Sequence, residues 1–330
     1  MTGQGVAHLD QFEFNSKMLP ISDSPESETA SIFFGNWEKL ITDWDSAIEW
    51  ISKVRNYASF NKNLVWRGVS NAKYPLHSSL YRLLVRDNVE VDEQLLVDYE
   101  KKIVDTARHR WRFDGVGALE LFAHLQHYGA PSRFLDVTYN PLIALWFASR
   151  ESRNAVHPKD GRLFIFDVTD REIMLDDANS NLQVPWTNEA FIRKYKWQKD
   201  LPHIWRPPSY IERIAAQDAA FLVGGVPQAV QGKNVRYRKK PGDGTSMGTW
   251  SIEKIRESTS VGTWMKSLNR KVGPTSTPTF TLRVDKRSKR EIQQMLDINY
   301  GINAATLFPE RYGLAQYITS EIARLEKSPR

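Results

Sequence analysis

The segment from Phe122 to Ser149, FAHLQHYGAPSRFLDVTYNPLIALWFAS, constrains the fold of this chain more than any other. Its pattern predicts the end of a helix, a tight turn at Gly129 to Pro131, a short strand and a second helix that begins at Asn140. Polar side chains are threaded through this apolar framework, and burying one of them without a partner costs about 2–7 kcal/mol. The polar side chains of this segment must therefore either find hydrogen-bond partners inside the protein or line a cleft. We interpret the segment as the wall of an active or binding site.

The composition of the 330 residues limits the kinds of functional site and the cellular compartment to be expected. There is no cysteine, which excludes thiol catalysis, disulfides and cysteine-based metal sites, and which fits a reducing compartment. The N-terminal residues show no secretory signal pattern, and no apolar run approaches the roughly 18 residues that span a bilayer. We therefore expect a cytoplasmic protein with no membrane partner.

Hydrophobic periodicity predicts helices and strands that alternate along the chain. Strands are expected at residues 63–68, 132–137, 161–168 and 280–284, and a further one ends near residue 223. Helices are expected at residues 43–55, 92–111, 118–128, 140–149, 286–296 and 310–325, with shorter ones elsewhere. Residues 1–30 are predicted to form a flexible tail, and residues 31–330 a single domain with irregular insertions near 171–209 and 231–280.

Arg67 ends the first strand, and its planar guanidinium suits a phosphate or a carboxylate in a cleft, although a structural salt bridge is the alternative. Asp136 and Thr138 lie just before a helix whose N-cap is Asn140 and whose first residue is Pro141. The N–H groups at such a helix start favour an anion, so either a phosphate or Asp136 itself, as a second cap, is expected there.

Two other groups of residues can be interpreted either as functional or as ordinary parts of the protein surface and fold. The net charge is +6, and a basic cluster with an interleaved tyrosine is typical of nucleic-acid contact, the alternative being a solvated basic surface. This cluster comprises Lys233, Arg236, Tyr237, Arg238, Lys239 and Lys240. Glu120, His124 and His127 share one face of a predicted helix, but without an evident further ligand we predict a hydrogen-bonded face and no metal.

Four stretches of the chain resemble the FRG domain, a family of bacteria and phages named for an aromatic-Arg-Gly triplet. They are WRG at 66–68, LQHYGAPSRFLDVTYNPLIALWFA at 125–148, RIAAQDAAFL at 213–222 and INYGINAATLFPERYGLA at 298–315. The stretches follow the order of the family, with Val137 and Ala219 in place of its usual Trp and Gly. Neither replacement removes a reactive group.

The layout is also similar, more distantly, to ADP-ribosyltransferases of the Arg, Ser-Thr-Ser, Glu type. That resemblance implies an α+β fold with a split, mostly antiparallel central sheet flanked by helices, and NAD as the substrate that donates ADP-ribose. It implies catalytic roles for Arg67, Asp136, Thr138 and Gln217. Because Gln217 stands where those enzymes have a glutamate, the negative charge is expected from Asp136. The residues that the resemblance implies for NAD binding are Arg67, Gly68, His127, Arg133 and Asn140.

Three functions follow as hypotheses. The first is an NAD-dependent ADP-ribosyltransferase that acts on nucleic acid or protein as a toxin or anti-phage effector, with an antitoxin or defence partner. The second is a module that binds nucleic acid, or cleaves it without metal through His127, Arg133 and Asp136. The third is a non-catalytic sensor of a nucleotide or a phage component.

Overall fold

The structure is a computed structural model. It describes residues 25–58, 62–86, 90–151, 157–174, 182–197, 201–208, 212–228, 250–268, 278–309, 315 and 318. The predicted basic cluster at 233–240 and nearly all of the predicted helix at 310–325 lie outside these residues.

Within this part of the chain, strands and helices alternate much as the periodicity predicts. The strands are β1 (Lys39–Ile41), β2 (Leu64–Val69), β3 (Leu135–Thr138), β4 (Gly161–Asp167), β5 (Glu172–Ile173), β6 (His203–Trp205), β7 (Ala219–Val223) and β8 (Thr279–Val284). The first helices are α1 (Glu28–Gly35), α2 (Trp44–Ala58), α3 (Ser79–Arg86), α4 (Glu93–Trp111), α5 (Ala118–His127) and α6 (Pro141–Ser149). The later helices are α7 (Glu189–Lys194), α8 (Glu212–Ala216), α9 (Ile252–Ser258), α10 (Lys289–Tyr300) and α11 (Ala304–Leu307), with a 3-10 turn at Pro185–Thr187.

The strands form one open sheet in the order β1-β8-β4-β2-β3-β7-β6-β5. The two outermost pairs, β1 with β8 and β5 with β6, are parallel, and the pairs between them are antiparallel. This mixed sheet with helices packed on it agrees with the predicted α+β class and mostly antiparallel sheet. The centre of the sheet is its weakest junction, because β2 and β3 share a single register pair, Trp66 with Thr138.

Helices cover the two faces of the sheet unequally. On one face, α2, α6 and α10 pack on a core that includes Trp66, Ile165 and Phe280. On the opposite face, α1 and α9 pack on a core that includes Val65 and Phe164. A third core packs α4 and α5 against β6 and β7. The alternation of side chains along β2 explains why neighbouring residues enter different cores.

The structure differs from the sequence expectations at two places. The first helix, α1, begins at Glu28, inside the predicted tail, and it buries Ala30. The predicted irregular insertion at 171–209 contributes β5, β6, α7 and the 3-10 turn. Because β5 and β6 are only 2 and 3 residues long, they are too short to show the alternation that identifies a strand.

Candidate anion site between two central strands

Arg67 of β2 and Asp136 of β3 meet next to the single register pair that joins these two strands. Arg67 follows Trp66 on β2, and its Nη1 donates a 2.6 Å hydrogen bond to the backbone carbonyl of Asp136. The same nitrogen lies 3.8 Å from Oδ2 of the Asp136 carboxylate. The guanidinium therefore contacts both the backbone and the side chain of Asp136, and it links β2 to β3 beyond their single register pair.

Asp136 is held from its other side by a short chain of polar side chains. Gln126, near the end of α5, donates from Nε2 to Oδ1 of Asp136 at 2.6 Å. The hydroxyl of Ser132 donates in turn to Oε1 of Gln126. The side chain of Asp136 remains 57% exposed, whereas that of Arg67 is 20% exposed. The carboxylate is thus oriented by two neighbours and still open to a ligand.

A second arginine, Arg82 on α3, interacts electrostatically with this pair. Its Nη1 donates a 2.7 Å hydrogen bond to the carbonyl of His77. Burial, followed by the positive charge of Arg67, lowers the pKa of Arg82 to about 10, and the charge of Asp136 acts in the opposite direction. Burial also lowers the pKa of Arg67, against the effect of Asp136. We call Arg67, Arg82, Gln126 and Asp136 the β2–β3 site.

Thr138, Asn140 and Gln217 border this site, but their polar atoms hold the turn between β3 and α6. The Thr138 hydroxyl donates to the carbonyl of Gln217 at 2.7 Å and accepts from the N–H of Asn140 at 3.0 Å. Asn140 caps α6 by accepting from the N–H of Leu142 at 2.9 Å, as predicted. The Gln217 amide donates to the carbonyl of Leu307 at 3.0 Å. These residues position the β2–β3 site, and Asp136 is directed to Arg67 and Gln126 rather than to the start of α6.

Gly68, which the resemblance assigned to NAD binding, lies against α6. A Cβ at this position would be 1.9 Å from the carbonyl oxygen of Ala144 and 2.7 Å from the nitrogen of Ala148. Gly161 on β4 makes a similar approach, since a Cβ there would be 2.0 Å from the carbonyl oxygen of Ala148. The glycine of the aromatic-Arg-Gly triplet therefore lets a helix rest directly on the strand, and its Cα faces α6 instead of a ligand.

Arg133, the other arginine expected at the site, is turned into the protein interior. Its side chain is 1% exposed and donates to Glu100 at 2.6 and 2.7 Å and to Glu93 at 2.8 Å. The ring of Trp186 stacks on the guanidinium, 4.5 Å from its carbon atom. Arg133 therefore joins α4 to the start of β3, and the structure does not assemble it with His127 and Asp136 into a cleavage site.

His127 is the last residue of α5, next to Gln126, and its ring packs edge-on against Tyr128. On the same helix, Nε2 of His124 lies 3.8 Å from Oε1 of Glu120. Across the described residues, no three or more His, Asp or Glu side chains are grouped as metal ligands. None of the helices formed by these residues is long and apolar enough to span a bilayer.

The sequence identified Arg67 and Asp136, but it gave no indication of Arg82. Arg82 stands in a short helix, SLYRLLVR, where an arginine on the polar face is ordinary. Its hydrogen bond to the carbonyl of His77 and the packing of α3 on Ser132 distinguish it from a solvated arginine. A weak signal was available in the buried residues Leu80, Tyr81 and Leu84, which fix the orientation of that helix.

Comparison with known families gives one match. The model of the FRG domain matches residues 62–156, a range that contains all four residues of the β2–β3 site. It also contains Thr138 and Asn140 but ends before Gln217. Searches of curated proteins and of solved structures gave no match to this chain.

Proposed function

From the FRG domain that this chain contains, we propose an enzyme that binds NAD at the β2–β3 site and transfers its ADP-ribose group to another molecule. The observation that carries the proposal is the pairing of Arg67 with the half-exposed carboxylate of Asp136 where β2 and β3 separate. An arginine on a central strand, followed by a glycine and placed beside an oriented carboxylate, agrees in part with what the similarity to ADP-ribosyltransferases implies, although β2 continues past Arg67 to Val69 and the sheet is continuous. In this proposal, the charged side chains of Arg67 and Asp136 both contribute to the reaction.

The transfer requires little proton movement but strong control of charge. The bond between C1′ of the ribose and the nicotinamide nitrogen breaks, and nicotinamide leaves with the bonding electrons. A nucleophile of the target then bonds to C1′ and releases its proton to solvent. The positive charge that develops on the ribose needs a fixed negative partner, which gains strength where water is excluded. Asp136 supplies that charge, and Arg67 holds a phosphate.

Asp136 replaces the glutamate of the related pattern in this proposal. Gln217, at the corresponding position, carries no charge, and its amide is bound to the carbonyl of Leu307. Arg67 lies 3.8 Å from the Asp136 carboxylate, and Gln126 fixes its orientation through a 2.6 Å hydrogen bond. A carboxylate on β3 can therefore serve where the glutamate is missing.

The wider role that we propose is a toxin or anti-phage effector that modifies nucleic acid or protein in the cytoplasm. It rests on the resemblance to a family of bacteria and phages and on the absence of cysteine. An antitoxin or a defence-system partner belongs to the same proposal, because an unrestrained transferase would harm the cell that makes it.

The test is incubation of the protein with labelled NAD and total cellular RNA, DNA and protein, with nicotinamide release measured in parallel. We expect label on one class of molecule, and a loss of roughly 100-fold or more in Asp136→Asn and Arg67→Gln. Asp98→Asn and Arg193→Gln are matched controls and should retain wild-type activity. Each of these two side chains makes an exposed contact with a residue of its own helix.

Two results would contradict the transfer. The first is NAD binding without nicotinamide release or label, which would identify a nucleotide sensor. The second is shortening of nucleic acid in the absence of NAD, which would identify a nuclease.

A further inference from the structure

Trp111, the last residue of α4, lies largely in solvent. It is 73% exposed, and among the large apolar residues that the structure describes only Tyr128 is more exposed. Within the described residues, no aromatic ring or cation packs on its indole. Because an aromatic side chain buries about 150–250 Å² when it is covered, a partner with a flat apolar surface would gain stability here.

Two exposed arginines flank Trp111 in the chain. Arg110 and Arg112 are both exposed, and in the part of the chain that the structure describes neither side chain makes an ion pair or a hydrogen bond. Tyr128 offers a contrast, because it is 78% exposed but has no lysine or arginine within four residues of it in the sequence. Of these two aromatic residues, Trp111 is the one flanked by positive charge.

The exposed side of α4 that precedes Trp111 is also basic. Lys101 and Lys102 are exposed, and the Lys102 ammonium lies 4.7 Å from the centre of the Tyr99 ring, which is itself partly exposed. Between residues 99 and 114, four exposed lysines and arginines stand against two exposed carboxylates, those of Asp105 and Asp114. This surface therefore has an excess of positive charge and attracts a polyanion.

A third arginine of this stretch, Arg108, has a structural role. It is partly buried, and its Nη2 donates to the carbonyl of Val116 at 3.0 Å and to that of Leu182. The negative end of a helix dipole favours cations in the last turn, which accounts for Arg108 and Arg110 without any ligand. It does not account for a tryptophan left in solvent between two arginines.

Arg112 ends α4 in a backbone conformation that favours glycine. Its φ is 59°, in the left-handed region, and its N–H donates to the carbonyls of Ala107 and Arg108. Glycine is the usual residue in this conformation at a helix end, because a side chain is disfavoured there. The turn itself gives no reason for an arginine at this position, whereas a ligand of its side chain would.

We propose that Arg110, Trp111 and Arg112 bind single-stranded nucleic acid, and we call these three residues the α4 end. The indole stacks on a base, and the two guanidinium groups bind phosphates of the same strand. Stacking needs the open face of a base, which a single strand offers and a duplex hides. An acidic peptide would match the charges, but its carboxylates would leave the indole uncovered.

The α4 end is connected to the β2–β3 site through α5. The hydrogen bond from Arg108 to Val116 ties the last turn of α4 to the start of α5, and α5 carries Gln126 of the site. From Ala118 to Gln126 the helix rises about 12 Å, at about 1.5 Å per residue, so a strand bound at Trp111 would reach the site within a few nucleotides. The inference thus names single-stranded nucleic acid as the target of the transfer, and in that part it rests on the proposed function. The binding itself needs no NAD.

The experiment measures the fluorescence anisotropy of labelled probes mixed with the full chain in the absence of NAD. The probes are single-stranded RNA and DNA of about 12 nucleotides, within the roughly 4–16 that one single-strand-binding domain covers, the corresponding DNA duplex and a glutamate-rich peptide. For the wild type, we expect a single strand to bind more tightly than the duplex and the peptide. Tight binding of either RNA or DNA supports the inference, and the comparison of the two identifies the target.

Substitutions of Trp111 test the stacking. Trp111→Leu should weaken binding of the single strand by roughly 5- to 100-fold, because the stacking of one base is lost. Trp111→Phe keeps a ring and should retain most of the affinity. Since Trp111 is exposed, both variants should fold, and circular dichroism checks this.

Substitutions of the arginines test the phosphate contacts. Arg110→Gln combined with Arg112→Gln should lower the slope of log affinity against log salt by about 1.4, because each contact to a single strand contributes about 0.7. Arg193→Gln combined with Arg287→Gln is the matched control. It removes the same charge from two exposed arginines that are already paired with carboxylates, and the slope should stay that of the wild type.

Three results would overturn the inference. The first is wild-type affinity of Trp111→Leu for the single strand, which would place any nucleic-acid contact elsewhere on the chain. The second is a wild type that binds neither single strand. The third is a wild type that binds the duplex or the peptide as tightly as a single strand.

Failure of this inference can be told apart from failure of the proposed transfer. Binding of a single strand that depends on Trp111, in a protein that releases no nicotinamide from NAD, would support the α4 end and refute the transfer. Label transferred from NAD to protein, by a chain that binds no single strand, would refute the α4 end and leave the transfer standing.

Discussion

Gly68→Ala tests whether α6 rests directly on β2. The added Cβ would lie 1.9 Å from the carbonyl oxygen of Ala144, where an ordinary carbon–oxygen contact is about 3.3 Å. The helix would have to move away by about 1.4 Å, because the atom it meets belongs to the backbone and cannot rotate aside. Overpacking usually costs about 1–3 kcal/mol, and a clash with backbone belongs at the upper end of that range.

The assay is urea unfolding followed by circular dichroism. A loss of about 3 kcal/mol would lower the urea midpoint by about 1 M, if the unfolding free energy falls by about 3 kcal/mol per molar urea. Gly35→Ala is the matched control, since a Cβ there would meet only the Glu38 side chain at 3.5 Å and should change the midpoint little. A Gly68→Ala midpoint equal to that of Gly35→Ala would refute the close approach of α6 to β2.

Two further predictions concern buried polar groups. Arg133→Met should cost about 3–5 kcal/mol of unfolding free energy because it strands two buried carboxylates, and Arg193→Met, which breaks an exposed pair, should cost below about 1 kcal/mol. Equal urea midpoints for the two variants would contradict this reading of the network. Burial lowers the pKa of His203 from 6.5 to about 4, so the unfolded chain takes up a proton that the folded chain does not, and stability should fall as the pH drops from about 6.5 towards 4. His203→Gln should reduce this slope in unfolding free energies measured between pH 7 and 4, and an unchanged slope would show that His203 is not buried in its neutral form.

Structural features that depend only on residues close together in the sequence could be predicted. The start of α6 is fixed by Asn140 and Pro141, and the cap forms as expected because it needs only the next few residues. Arg67 was identified as a candidate beside a glycine, and Asp136 as a carboxylate before a helix, but the prediction that Arg67 ends its strand was wrong, since β2 continues to Val69. That the two meet could be expected only from family resemblance, since 69 residues separate them in the sequence.

Features decided by distant partners were not predictable. Arg133 stands among the site residues in the sequence, but Glu93 and Glu100 draw it inward from 40 and 33 residues away. In the sequence, the residue type of Arg133 and its place three residues before Asp136 are those expected of an arginine that binds a ligand. Gly68 was expected to approach a ligand closely, and the close approach is real, but the partner is the backbone of Ala144.

The sequence by itself determined the class of the fold, the boundaries of the longer elements and the FRG domain, because periodicity, capping and motif spacing are local properties. It also determined that Arg67 and Asp136 were candidates for one site. The tertiary structure decided which polar groups hold the fold and which remain available to a ligand. It turned Arg133 inward onto Glu93 and Glu100, because the partners of a charged side chain depend on which chain segments pack together and not on their order.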